Sequence, residues 1–188
     1  MKIPPLAPKE EPKSLVILAG PPGAGKSTVA RELVAQAAEP TAYIEGDRFW
    51  HFFPYSSEHD RRKGDFRTVM RASVQTAASY AAGGYPVILD FSIPPWYLGG
   101  VRKITASRGI AVHYVLLLPS EETCARRAAE RSEDATFDYE VFHEFYATFK
   151  EMDGPVLTQE LPPAELARAI RKGLESGIFL LSPPSGKN

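Results

Sequence analysis

The chain has 188 residues, 44% of them hydrophobic, which is enough for one domain with a sizeable core and too few for two ordinary ones. Lys and Arg number 22 against 23 Asp and Glu, a formal net charge of -1, so no global field draws the protein to nucleic acid or an anionic membrane and any anion site must be local. A single cysteine, Cys124, excludes an intrachain disulfide framework, and the leading MKIPPLAPKEEPK has prolines and charges where a signal peptide has its apolar core. With no apolar run near the roughly 18 residues of a membrane helix, the expectation is a reduced, soluble, cytoplasmic protein.

Residues 1–13, rich in Pro, Lys and Glu, read as a flexible N-terminal tail, 14–176 as the folded domain and 177–188 as a C-terminal tail. The run LVILA from Leu15 to Ala19 suits a strand buried on both faces and ends in a Gly-Pro-Pro-Gly turn. From Lys26, Val29, Leu33 and Ala37 recur every four residues, the stripe of a helix packed on a sheet. A short second strand, Ala42 to Glu45, leads into Gly46-Asp47 and an aromatic loop, FWHFFPY, from Phe49 to Tyr55. A long helix carrying Phe66, Val69, Met70, Val74, Ala77 and Ala81 on one face stops at Gly83-Gly84. A third strand, Pro86 to Asp90, is followed by a loop containing Trp96 and Tyr97 and a modest helix around Gly100 to Ser107. A fourth, Ala111 to Leu118, ends where Ser120 can cap the helix EETCARRAAER. A helical stretch from about Tyr139 to Met152, a weak strand near Val156 to Thr158 and a helix from about Ala164 to Leu174 complete the chain. Strands that alternate with helices imply an α/β fold with a parallel sheet covered on both faces, because parallel neighbours need crossover connections.

The segment Gly20-Pro21-Pro22-Gly23-Ala24-Gly25-Lys26-Ser27 fits G-x4-G-K-[ST] between a strand and a helix. Its glycines let several backbone N–H groups converge on one phosphate, and the following helix adds its positive end. Lys26 is expected to reach β- and γ-phosphates and the Ser27 hydroxyl to be one ligand of Mg²⁺; Thr28 completes the nucleotide-holding segment and chiefly packs the helix. Asp47, just past the second strand, sits where open α/β sheets bind ligands and is a candidate to accept a proton from an attacking hydroxyl; the alternative is an ordinary turn or N-cap Asp. Asp90, ending VILD, is a candidate to hold a metal-bound water, or simply a strand terminus. Arg127 and Arg131, at i and i+4, would share a helix face and could close over transferring phosphate; the alternative, stronger still for Arg126, is a solvated face paired with Glu121, Glu122 and Glu130.

Arg61, Arg62, Lys63, Arg67 and Arg71 would either hold a charged acceptor or form a solvated basic face. Trp50, Phe52, Phe53, Tyr55, Trp96 and Tyr97 would either line an acceptor pocket or form a satellite core. The histidines lack metal-ligand spacing; His113 reads as a satisfied core residue and Cys124 as a small buried one.

The phosphate loop GPPGAGKST, the Gly46-Asp47 pair, the acidic strand end Asp90 and the RRAAER helix followed by FDYEVFHEFYATF together resemble the small P-loop kinases. The layout is most similar to the polynucleotide-kinase-like and AAA-type family 33 domains, with gluconate, adenylylsulfate, chloramphenicol and zeta-toxin kinases as cousins. That resemblance implies a P-loop NTPase three-layer α/β/α sandwich with a five-stranded parallel sheet in the order 2-3-1-4-5. It also implies ATP and Mg²⁺ as cofactors, an acceptor held beside Asp47, a mobile lid carrying Arg127 and Arg131, and adenine held near Pro155 to Pro163. The activity so implied is transfer of the γ-phosphate of ATP to a hydroxyl of a small-molecule acceptor by a monomer or homodimer; a polynucleotide 5′-hydroxyl kinase and a regulatory ATPase are the alternatives. Trp50 near the position of the polynucleotide kinases' acceptor-phosphate arginine, and Ser132-Glu133-Asp134 in place of a gluconate-kinase lid signature, set this chain apart from both. It has neither the Asn/Thr-Lys-x-Asp element of GTPases nor an LSGGQ-like signature.

Overall fold

The computed structural model describes residues 11–53, 63–130, 139–158 and 161–181. Five parallel strands form one sheet in the order β2-β3-β1-β4-β5: β1 Leu15–Ala19, β2 Ala42–Glu45, β3 Val87–Asp90, β4 Val112–Leu117 and β5 Val156–Leu157. Every residue of β1 and β3 is buried, which is why their sequences are uniformly apolar up to the terminal Asp90. Each buried Leu, Ile or Val there contributes roughly 1.5–3 kcal/mol through removal from water.

Helices α1 (Lys26–Ala35) and α6 (Pro163–Glu175) pack together, as do α2 (Lys63–Ala82) and α3 (Leu98–Ala106), one pair for each face of the sheet. The C-terminus of α1 has no basic residue of its own; Arg171 of α6 supplies the charge by donating to the Gln36 carbonyl at 2.5 Å. The end of α2 is closed by Gly84 at φ 88°, where Tyr85 N–H reaches back to the Tyr80 carbonyl. Ser120 caps α4 (Glu121–Ala129), its Oγ accepting from Thr123 N–H at 3.2 Å. No helix of the described residues is long and apolar enough to cross a membrane.

Some boundaries differ from the sequence reading. Within the aromatic stretch, Phe49 to Phe52 belong to a 3₁₀ helix, Gly46–Phe52, and not to a loop. The helix expected from Gly100 begins at Leu98, after a 3₁₀ turn at Pro95–Tyr97 that a proline's fixed φ favours. The stretch from Tyr139 is 3₁₀ over Tyr139–Phe142 before becoming α5 (His143–Lys150).

The C-terminal tail expected from residue 177 does not begin there. Phe179 is 3% exposed, its ring lying over Gly173, where a Cβ would sit 2.2 Å from Cε2. Its carbonyl accepts from Tyr114 N–H, and Leu181 N–H donates to the Val112 carbonyl, both at 2.8 Å, so this segment covers the outer run of β4. Beside it His113 departs from the expected satisfied core residue: its Nδ1 is buried without a hydrogen-bond partner, and burial pushes the imidazole pKa down. At the other end, Lys13 N–H already bonds the Ala81 carbonyl at 3.0 Å.

Candidate active site

Between β1 and α1 the chain passes through Gly20, Gly23 and Gly25 at φ of 140°, 81° and 90°. Two of these also touch backbone so closely that no side chain fits. A Cβ on Gly20 would lie 2.2 Å from the Leu117 carbonyl oxygen, and one on Gly23 2.0 Å from that of Cys124. The loop is therefore wedged against β4 and α4. Tyr139 adds a brace from far along the chain, its hydroxyl donating to the Pro22 carbonyl at 2.9 Å. Lys26, 8% exposed, donates from Nζ to the Pro21 carbonyl at 3.1 Å, which keeps its charge inside the turn. Helix α1 has Gly25 as N-cap, no side-chain cap bond and no acidic residue in its first turn. Its first N–H groups and the positive end of its dipole are thus available to an anion.

Asp90 ends β3 in register with Leu18 on one side and Glu45 on the other. It is 6% exposed, and its Oδ2 accepts from the Tyr43 hydroxyl at 3.2 Å. Burial, then the neighbouring Asp90 and Glu45 carboxylates, push the Tyr43 phenol far above its usual pKa, so it stays a donor. Ser27, half-buried in the first turn of α1, is the hydroxyl of the same sheet edge. One carboxylate and one hydroxyl suit Mg²⁺, a hard cation that keeps most of its waters. Among the described residues no group of three or more His, Cys, Asp or Glu forms an all-protein cage.

Asp47 is solvent-exposed in the first turn of the 3₁₀ helix, two residues past Glu45. Its neighbour Gly46 rests on the Phe91 ring, 2.3 Å from where a Cβ would be, which fixes the start of this helix against the residue that follows Asp90. Neighbouring strands lie about 4.8 Å apart, so the ends of β2, β3 and β1 put Asp47 roughly two strand spacings from the phosphate loop. Glu45 itself is engaged by Arg48 and, at 3.8 Å, by Arg31; the hydrogen bond from Arg48 lowers its pKa most.

On α4 the arginines separate. Arg126 points to solvent and pairs with Glu130 at 3.0 Å, whereas Arg127 places Nη1 4.0 Å from where a Gly25 Cβ would be. Arg131 lies outside the described residues. Glu121 ties α4 to α5 through His143 Nδ1 at 2.7 Å. Cys124 is fully buried, and burial raises its thiol pKa to about 11. It should therefore resist iodoacetamide at pH 8 in the folded protein and react only on unfolding; rapid labelling of native protein would contradict this burial.

A cavity of about 300 Å³ adjoins the phosphate loop, lined by Gly25, Thr28, Arg127, Leu157, Leu161 and Leu166 among others. Thr28 is exposed and faces this space, so it lines the cavity and does not pack the helix as expected. The aromatic residues divide between the two roles left open by the sequence. Trp50 lies parallel to Phe66 at 6.3 Å, and Phe66 meets Phe91 and Phe145 edge-on at 5.9 and 5.6 Å, forming a satellite core. Phe52 and Trp96 stay open to solvent at 83% and 44%, with the Arg67 guanidinium 4.6 Å above the Trp96 ring. Tyr55, Arg61 and Arg62 lie outside the described residues.

A glycine-lined phosphate loop joining the central strand to α1, in a parallel sheet ordered 2-3-1-4-5, defines a nucleotide-binding P-loop NTPase of the kinase-like type. The AAA domain family matches residues 15–152, and the chain belongs to that family. A guanylate kinase from Thermobifida fusca is 28% identical over 145 residues, covering 67% of this chain and 71% of that protein. Among solved structures, the APS kinase of Mycobacterium tuberculosis, in complex with AMPPNP and APS, superposes with a TM-score of 0.70 at 22% identity, over 88% of this chain and 99% of that one. A sugar kinase from Janibacter sp. gives 0.68 at 19%, over 87% and 95%, and a gluconokinase from Sinorhizobium meliloti 0.56 at 19%, over 90% and 95%. These similarities in structure establish a common fold.

Two features of the site had no signal in the sequence, Tyr43 on Asp90 and Tyr139 on the phosphate loop; of the cavity leucines, Leu157 and Leu161 fall within the Pro155 to Pro163 stretch expected near the base, and Leu117 and Leu166 outside it. The two tyrosines act across 47 and 117 residues of chain, beyond the reach of local spacing.

Proposed function

We propose that the protein transfers the γ-phosphate of ATP to a hydroxyl of a small-molecule acceptor. The observation that carries this reading is one sheet edge bearing a braced phosphate loop, an adjoining cavity with Arg127 at its wall, and an exposed carboxylate, Asp47, two strands away. Gly20 to Thr28 cradle the phosphates, the residues other than Pro21 and Pro22 offering backbone N–H groups, and the cavity takes the base. Asp47 accepts the acceptor's proton as its oxygen bonds to the γ-phosphorus. The bond from that phosphorus to the bridging oxygen breaks, and ADP leaves. Lys26 and Arg127, with Arg131, balance the charge spread over the phosphoryl oxygens. Ser27 and Asp90 are the residues that would hold Mg²⁺, which when bound supplies counter-charge to the β- and γ-phosphates, and Tyr43 orients Asp90 for that role. The protein acts in this reading in the cytoplasm.

The guanylate kinase similarity favours a second reading, in which the acceptor oxygen belongs to a nucleotide phosphate. Such an oxygen is already largely deprotonated at pH 7 and needs no general base. Transfer from γ-labelled ATP with Mg²⁺ should therefore be measured to sugars, nucleosides, aminoglycoside and phenicol antibiotics, 5′-hydroxyl oligonucleotides and nucleoside monophosphates, with Lys26→Ala as control. A labelled small-molecule hydroxyl is the expected result. A product formed only from monophosphates would replace this reading with the second, one from 5′-hydroxyl ends would make the protein a polynucleotide kinase, and slow hydrolysis alone would favour a regulatory ATPase.

A further inference from the structure

Across the sheet from α1, helices α2 and α3 wall a groove of about 430 Å³ lined by Arg71, Gln75, Tyr97, Lys103, Ser107 and Arg108. No carboxylate lines it. Asp65, in the first turn of α2, is the one acidic residue on either helix, against Lys63, Arg67, Arg71, Arg102 and Lys103. In a chain of net charge -1 this is a concentrated imbalance. Elsewhere Lys13, Arg31, Arg48 and Arg126 each sit against a glutamate, whereas among the described residues Arg71, Lys103 and Arg108 form no ion pair. Arg108 is steadied from below, its Nη1 donating to the Ser79 hydroxyl at 3.2 Å.

We propose that this groove is a second anion site, separate from the phosphate loop, that binds a small molecule carrying two or more phosphate groups. Like charges held together repel, and a bound polyanion relieves that repulsion. From Arg71 to Ser79 is eight residues of α2, a rise of about 12 Å, so the cations are spread too widely for a single phosphate and match groups several Å apart. Gln75 and Ser107 offer neutral donors between them. The Tyr97 ring lies on Gly100, 3.0 Å from where a Cβ would be, and bounds the groove on the side of the loop after β3. The limited volume of the groove and the near-neutral charge of the whole chain favour a compact ligand over a polymer.

Titration calorimetry with inorganic tripolyphosphate, with and without saturating ADP, tests this. The expected result is a binding event that survives ADP, weakens at higher salt, and is weakened at least tenfold in Arg71→Gln/Lys103→Gln but unchanged in Arg168→Gln on α6. ADP binding by the double variant serves as its folding control. If ADP displaces all tripolyphosphate, or if the ADP-independent event persists in the folded double variant, the site does not exist. If an oligothymidylate decamer binds the same variant-sensitive site more tightly than tripolyphosphate, the small-molecule assignment is overturned in favour of a strand. The test is independent of phosphate transfer and stands whichever acceptor is found.

Discussion

Replacing Lys26 by Ala should abolish measurable phosphate transfer, a loss of about 10³-fold or more, together with tight nucleotide binding. The reason is geometric as well as electrostatic. Lys26 is almost fully buried and already folded back on its own loop, whereas Arg127 reaches the loop from α4 beside Gly25, so the substitution removes the charge held inside the turn. Asp47→Asn should behave differently. The side chain is exposed in a 3₁₀ turn and its amide is nearly isosteric, so folding and ADP affinity should persist while transfer to a hydroxyl drops by roughly 10²- to 10⁴-fold. Isothermal titration with ADP and single-turnover transfer, run on both variants, separate the two effects. An Asp47→Asn protein with full activity toward a hydroxyl acceptor would remove Asp47 as base; full activity toward a nucleoside monophosphate is what the second reading requires.

The second large effect is expected at Gly23. An added methyl would meet the Cys124 carbonyl oxygen at 2.0 Å, a rigid Cβ against backbone, on a residue that also needs φ 81°. Neither partner is a flexible side chain, so β1, α4 or the loop must move. Overpacking of this kind costs roughly 1–3 kcal/mol and the left-handed backbone about 1 more, which together lower Tm by roughly 4 to 16 °C in a domain of this size. Gly25→Ala is the control. Its φ is 90°, yet its nearest neighbour would be the tip of Arg127 at 4.0 Å, so only the backbone term applies. Thermal unfolding of both variants should rank Gly23→Ala well below Gly25→Ala; equal shifts would mean that the close approach to Cys124 carries no weight.

The sheet was legible because buried parallel strands leave a simple signature. LVILA, VILD and VHYVLL are apolar on both faces apart from Asp90 and His113, and β2 falls at the residues the sequence indicates, Ala42–Glu45. Phosphate-loop geometry was legible for a related reason, since positive φ and close backbone approach both demand glycine at fixed offsets. Arg127 and Arg126 were harder. Their one-residue offset places one beside the loop and the other in solvent, and only the orientation of α4 decides which. The aromatic stretch carried two plausible meanings because hydrophobicity does not say where a ring points. Trp50 found partners in Phe66 and, through it, Phe91 and Phe145, all supplied by later elements, while Phe52, among the described residues, meets Phe49. Phe179 escaped notice for want of periodicity: a single ring over a single glycine, with two backbone hydrogen bonds to β4, holds that segment.

The direct contact of Gly20 and Gly23 with the backbone of β4 and α4 has a bearing on selectivity. Peptide groups cannot change rotamer, so the turn behaves as a gauge of fixed calibre, which in the proposed function is matched to one spacing of the phosphate chain. In the proposed function, where the leucine-lined cavity takes the base, discrimination among nucleotides that share that chain falls to that cavity. There, exchanging one side chain would alter the preferred base without disturbing the gauge.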